Sequence, residues 1–153
     1  MTPGLYEARL AAVQWESDRH CAALDEALAD WQKLPTPSSA ALDQDSALRR
    51  LTDQILYRFT KLQDTMGERL VPATLDCLLE PHDAWPMRDR LDRLEKLGFL
   101  DVDDWMAWRN VRNRLSHEYP DAPELRHAAV LAAINAARAL MSAYRRWKVR
   151  LPA

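Results

Sequence analysis

The sequence predicts an all-α protein, an up-and-down helical bundle of about five helices forming one domain over residues 1–153. Three observations carry that prediction. Only 3 glycines interrupt 153 residues, and Ala, Leu, Arg, Glu and Asp dominate, all but Asp being good helix formers. Runs of alternating Val, Ile and Thr, which would mark strands, are absent. Apolar residues recur instead at three- and four-residue steps, the period of a helix with one buried face. A chain of this size buries roughly 68–70% of its unfolded surface, so one core holds it without disulfides or metals.

Over residues 5–34, Tyr6, Leu10, Val13, Leu24, Leu28 and Trp31 make one apolar stripe, and Pro35-Thr36-Pro37-Ser38-Ser39 ends that helix. A second helix starts between Ser39 and Asp45. Its Leu48, Leu51, Ile55, Phe59, Leu62, Met66 and Leu70 form the cleanest stripe in the chain, which marks it as central. Pro72 lacks an N–H and its ring crowds the preceding turn, so a kink or pause is expected between Gly67 and Val71, with the helix resuming toward Leu79. Residues 80–85 form a loop. Pro86 suits the first turn of a short third helix with Met87, Leu91 and Leu94 on its buried side, and Gly98 is a natural left-handed terminator. Asp101 or Asp103 caps the next helix, whose Trp105, Trp108, Val111 and Leu115 face inward before Pro120 forbids an extension. Asp121 and Glu124 have the spacing of a capping box for a final helix carrying Val130, Ile134, Ala137, Met141 and Tyr144 and fraying by Pro152. The alanines of 128–139 allow close helix approach, within the monomer or across a dimer seam.

Cys21 and Cys77 stand far from any CxxC partner, which fits a reducing compartment and two buried or half-buried thiols. Residues 1–15 carry no basic, apolar leader and no apolar run is long enough to span a bilayer, so the expectation is a soluble, cytoplasmic protein. A net charge of −2 and a pI near 6.1 argue against coating nucleic acid by bulk electrostatics, so any RNA contact is local. Seven cations between Arg88 and Arg114 are offset by interspersed acids, and a solvated helix face with ion pairs explains each of them as well as a partner surface does, Arg112 excepted. His20, His82 and His127 have no ligand partners at metal-site spacing, and His117-Glu118 lacks the second histidine of a HExxH site because Asp121 stands there, so no metal and no cofactor is expected.

Chemistry concentrates in Arg112-Asn113-Arg114-Leu115-Ser116-His117-Glu118-Tyr119. A permanent planar cation that grips phosphate, an imidazole able to exchange protons near neutral pH, an amide and a phenol fall within one short segment. On an ideal helix Asn113 and His117 share a face, while Arg112 and His117 lie about 140° apart and would flank a groove rather than stack. Taken alone, these residues also fit a plainer reading: Arg112 paired to an acid at a helix surface, Asn113 and His117 as C-terminal caps, and Tyr119 as a half-buried aromatic.

The pattern Arg112-Asn113, three residues, His117, one residue, Tyr119 resembles the signature of HEPN-domain ribonucleases, particularly the HepT-like toxins of bacterial toxin–antitoxin pairs. Residues 53–67 resemble that family's long second helix, and Leu94-Glu95-Lys96-Leu97-Gly98-Phe99 followed by Trp105 resembles the approach to the motif helix, so the likeness covers roughly residues 46–125. It implies a HEPN-like helical domain, an RNA substrate, a homodimer, and a nucleotidyltransferase antitoxin of the MNT type that silences the toxin by attaching AMP to the tyrosine matched by Tyr119.

Metal-free RNA cleavage needs removal of the 2′-hydroxyl proton, charge stabilisation on the phosphorane and protonation of the leaving 5′-oxygen. His117 is the candidate general base or acid, Arg112 the oxyanion clamp and Asn113 the group that orients them, with Arg109 and Arg114 as further RNA contacts. One imidazole cannot hold both proton roles in one step, which favours a site shared by two protomers. Tyr119, a poor proton shuttle at neutral pH, is a site of modification rather than chemistry. Two other classes compete: a non-catalytic helical module that binds a nucleotide or serves a nucleotidyltransferase, and a structural scaffold using residues 88–114 as an interface.

Overall fold

The computed structural model describes residues 3–117 and 119–152; Met1, Thr2, Glu118 and Ala153 lie outside the described residues. Every regular element among the described residues is helical: α1 (Pro3–Gln32), α2 (Ser39–Gln44), α3 (Ser46–Thr65), a π-helical turn (Met66–Leu70), α4 (Val71–Cys77), α5 (Met87–Lys96), α6 (Val102–Arg114) and α7 (Pro123–Arg150). Since α3, the π-turn and α4 run on without a break, five longer rods form the bundle and α2 is a short addition to them. No helix among the described residues is long and apolar enough to cross a membrane.

Local chemistry sets the joints. Ser38 Oγ accepts from the Ala41 N–H at 3.2 Å and starts α2. Asp45 Oδ1 accepts from the Leu48 N–H at 3.0 Å and starts α3, so the region where one helix start was expected holds two. Asp101, of the two aspartates considered, caps α6 by accepting from the Asp104 N–H at 2.9 Å. Gly98, at φ 85°, closes α5 while the Phe99 N–H reaches back to the Leu94 carbonyl. Leu79 closes α4 in the same left-handed way at φ 58°, without glycine's freedom. The capping box expected at Asp121 and Glu124 does not form. Ala122 is the N-cap with no side-chain bond, and Pro123 takes the first turn because its fixed φ suits that position.

The central stripe lies where the periodicity put it: Ile55, Phe59, Leu62 and Leu70 are fully buried, with Leu48 and Met66 nearly so. Each such side chain contributes roughly 1.5–3 kcal/mol by leaving water. α1 packs along α3 and α4, α7 packs on α3 and α6, and α5 links α4 to α6. Between Val13 and Leu24 the apolar stripe of α1 gives way to Ser17, His20 and Cys21, all buried. Ser17 Oγ donates to the Val13 carbonyl at 2.9 Å, which makes its burial tolerable. Trp147, fully buried on α7, donates its indole N–H to Thr74 Oγ1 at 3.0 Å.

The kink expected between Gly67 and Val71 takes the form of the π-turn, in which the Val71 N–H donates to the Met66 carbonyl five residues back. A regular helix would drive the Pro72 ring into the carbonyl of residue 68, and widening the turn relieves that clash. This widened turn faces α6, the helix that carries Arg112 and Asn113 of the motif.

Candidate functional site

α6 presents Trp105, Arg109 and Arg112 at steps of four and three, hence on one face. The opposing face of α3 and the π-turn carries Gln63, Asp64, Gly67 and Glu68, and a cavity of about 330 Å³ lies between them. A Cβ on Gly67 would stand 3.1 Å from Trp105 Cζ2, so the missing side chain is what lets the indole approach the π-turn this closely. Arg112 Nη2 donates to the Asp64 carboxylate, with its oxygens at 2.8 and 3.1 Å. Both side chains are about one-third exposed, at 36% and 31%, so the pair is worth little to stability, of the order of 1 kcal/mol or less. Its effect is positional.

The α-helical winding stops at Arg114. Beyond it, Leu115, Ser116 and His117 donate their N–H groups to the carbonyls of Arg112, Asn113 and Arg114, a tightened i→i+3 series. The expected helical angle between Arg112 and His117 therefore does not apply, because His117 and Tyr119 stand outside the helix rather than on its C-terminal half. Asn113 is exposed, and it serves the helix end through its backbone carbonyl, which accepts from Ser116 Oγ at 2.7 Å. Arg114 is exposed and lines neither cavity of the site.

His117 and Tyr119 line a second cavity of about 470 Å³, bounded by Leu56 of α3 and by Arg126, Ala129 and Val130 of α7. Their ring centroids are 5.9 Å apart, tilted by 50°. Tyr119 is half-buried and has φ 46°, a left-handed conformation costing a non-glycine residue about 1–2 kcal/mol. Two donors hold it there: the Ala122 N–H at 3.1 Å and Arg126 Nη1 at 2.5 Å, both on the Tyr119 carbonyl. Arg126 is itself tied to Asp43 of α2 at 2.8 Å. Sequence reasoning passed over Arg126, and its position four residues past Ala122, on the first turn of a helix, was the only signal it gave.

Within one chain, then, the arginine and the histidine line separate cavities. Leu56 marks one and Asp64 the other, eight residues apart on α3, or about 12 Å along the rod. The plainer reading of the motif is met in two respects, since Arg112 pairs with an acid and Tyr119 is half-buried. Glu118 lies outside the described residues.

Two other histidines sit in polar clusters that spacing along the chain did not announce. His82, buried, is 2.7 Å through Nε2 from Asp76, and the ligand atoms of Asp76, His82 and Asp83 fall within 4.8 Å of one another. Arg9 stands 3.7 Å from Asp76 and already balances part of that charge. His20, also buried, accepts from Arg58 at Nδ1 over 3.1 Å, which fixes its neutral form with the proton on Nε2. Burial foremost, then the Arg58 cation, hold its pKa below the ordinary histidine value. Burial likewise pushes the Cys21 thiol up to about 11, which leaves it unreactive.

Compared with known proteins, the chain matches no family model, no curated protein and no solved structure. The likeness to HEPN ribonucleases therefore rests on the quoted residues alone.

Proposed function

We propose that this chain is a metal-independent RNA endonuclease of the HEPN, HepT-like kind, the toxin of a bacterial toxin–antitoxin pair. One observation carries the reading: the α6 terminus presents Arg112 and His117 on either side of the point where the helix unwinds, each lining a cavity open to a ligand. His117 serves as general base or acid, Arg112 as the clamp on the phosphorane oxygens, and Asn113 as the group that orients them. Because the two side chains face different cavities in one protomer, the working site is assembled from two, with Arg112 of one copy meeting His117 of the other across a two-fold axis.

Tyr119 belongs to regulation. AMP attached to its phenol by an MNT-type nucleotidyltransferase places a phosphate beside His117 and fills the cavity that Tyr119 lines, which repels the RNA backbone. The reaction occurs in the cytoplasm, with the antitoxin as partner.

Purified protein incubated with RNA in excess EDTA tests this directly. Arg112→Ala and His117→Ala are each expected to lower cleavage about 10²–10⁴-fold with melting temperature unchanged. A mixture of the two variants, refolded together, regains cleavage if the site is shared between protomers. Absence of cleavage by the unmodified wild-type protein would sink the nuclease.

A second reading is favoured by one specific contact. Asp64 already pairs with Arg112 and competes with a phosphorane for it, which favours a non-catalytic helical module that binds a nucleotide or serves a nucleotidyltransferase. It predicts nucleotide binding, no RNA cleavage, and growth unaffected by expression of the chain alone.

A further inference from the structure

We infer that the cavity between α6 and the π-turn is a recognition subsite for a purine base, adenine above all. The inference rests on the nucleotide-handling reading of the motif for its biological role, and it names what the Arg112 side of that motif recognises.

The walls of this cavity contain polar groups that the fold leaves unsatisfied. Gln63 is 3% exposed and Trp105 4% exposed. Neither amide atom of Gln63, nor Trp105 Nε1, nor Arg112 Nε, has a hydrogen-bond partner among the described residues. Buried polar groups are almost always paired, so several orphans around one hollow call for an explanation, and a missing ligand is among the recognised ones. All of these atoms are closed to solvent although their residues line the hollow, so a ligand meets them only once those side chains turn toward it. The terminal torsion of a glutamine is soft, so the Gln63 amide turns toward the hollow at little cost.

Charge and shape then select the ligand. Arg109 and Arg112 are matched by Asp64 and Glu68, so within one protomer the hollow has no net charge and suits the neutral base of a nucleotide, whose phosphate falls to Arg112 only in the assembled site. The orphans comprise one amide, which both donates and accepts, and two N–H donors. A neutral, planar group with donor and acceptor side by side satisfies them. The adenine edge, with its N6 amino donor beside the N7 acceptor, is what a glutamine amide pairs with bidentately. The ring nitrogens on its other edge accept from an indole N–H. A hollow of about 330 Å³ accommodates a base of that size. The π-turn fits this assignment too, since such turns often mark ligand sites, and here Gly67 brings Trp105 within reach.

The test is a titration of the wild-type protein with adenosine, uridine and ribose 5-phosphate, followed by the Trp105 indole N–H signal in a ¹⁵N–¹H spectrum. Trp105→Phe identifies that signal among the 6 tryptophans. Adenosine is expected to shift it and the other two to leave it in place, and Gln63→Met to weaken adenosine binding by about tenfold or more. Should that variant fail to fold, Gln63→Glu, which keeps an acceptor and loses the donor, is expected to weaken binding as well. No shift with adenosine, or an equal shift with ribose 5-phosphate, overturns the assignment. Gln63→Met that is more stable yet binds adenosine normally overturns it equally, since the orphans would then be a packing defect. Cleavage of RNA, measured alongside, stays a separate readout: adenosine binding without cleavage upholds the subsite and removes the nuclease. Cleavage without adenosine binding does the reverse.

Discussion

On one side of the α6 terminus, Trp105, Arg109 and Arg112 project from regular helix onto the face of α3 and the π-turn. On the other, His117 and Tyr119 project from irregular backbone over the start of α7. Helical period and a buried indole fix the first side. A left-handed residue and two hydrogen bonds to one carbonyl hold the second. The cation of the motif is therefore set by the core of the molecule, whereas the imidazole and phenol are set by a short local network. Segments held by so few contacts commonly open before the core does.

The difference can be attacked from the rigid side first. Trp105→Ala is expected to cost about 3–5 kcal/mol, as for other buried tryptophans, and Tyr119→Ala under about 1 kcal/mol, read from urea unfolding of both. Equal losses would erase the distinction. Next comes the anchor of the loop. Arg126→Met removes the bonds to Tyr119 and Asp43, and it should cost about 1 kcal/mol, most of it local. Faster amide exchange at Ala122, with the core amides of α3 unchanged, is the expected pattern. A uniform increase across the protein would tie the loop to the core after all.

A finer probe compares the left-handed residues. Gly98 and Leu79 close their helices alike, but Leu79 is 75% exposed and has little packing to lose. Leu79→Gly is expected to raise stability by about 0.5–1 kcal/mol, the relief of φ less the entropy of glycine. No gain would mean that the strain assigned to Tyr119 is also overstated.

The mildest test lies outside both sides, at His20. Its folded pKa is below the ordinary 6.5, so the unfolded chain binds the proton more readily. Stability is then complete above about pH 6.5 and declines as the pH falls below it. The Glu16 carboxylate, lowered chiefly by its bond from Arg69, adds a loss in the same direction below its ordinary 4.5. His20→Gln should flatten melting temperature against pH between 6.5 and 5 without altering the behaviour of either cavity.

How far the sequence disclosed this arrangement depends on the range of the forces involved. Ser38, Asp45, Asp101 and Gly98 act on backbone within a few residues, and each does at its helix end what its chemistry predicts. The stripe from Leu48 to Leu70 is equally local and equally clear. Asp121 and Glu124 misled because Pro123, between them, dictates the start of α7 more strongly than a capping hydroxyl or carboxylate would. Gly67 and Pro72 announced a disturbance but not its form, since a kink and a widened turn relieve the same clash. The Asp64–Arg112 pair joins two helices, which no spacing along the chain reveals, and Arg126 reaches from α7 to the irregular backbone at Tyr119, where no helical period applies.

The widened turn at 66–70 amounts to one surplus residue spliced into an otherwise continuous rod. Winding the same residues as an even α-helix, without that widening, would swing every side chain from Val71 onward by about 100°. Val71, Ala73 and Leu75, now sealed inside, would rotate toward water. The chain thus keeps two phases of one helix in step with two different neighbours, and the widened turn, not any single side chain, is what holds them so.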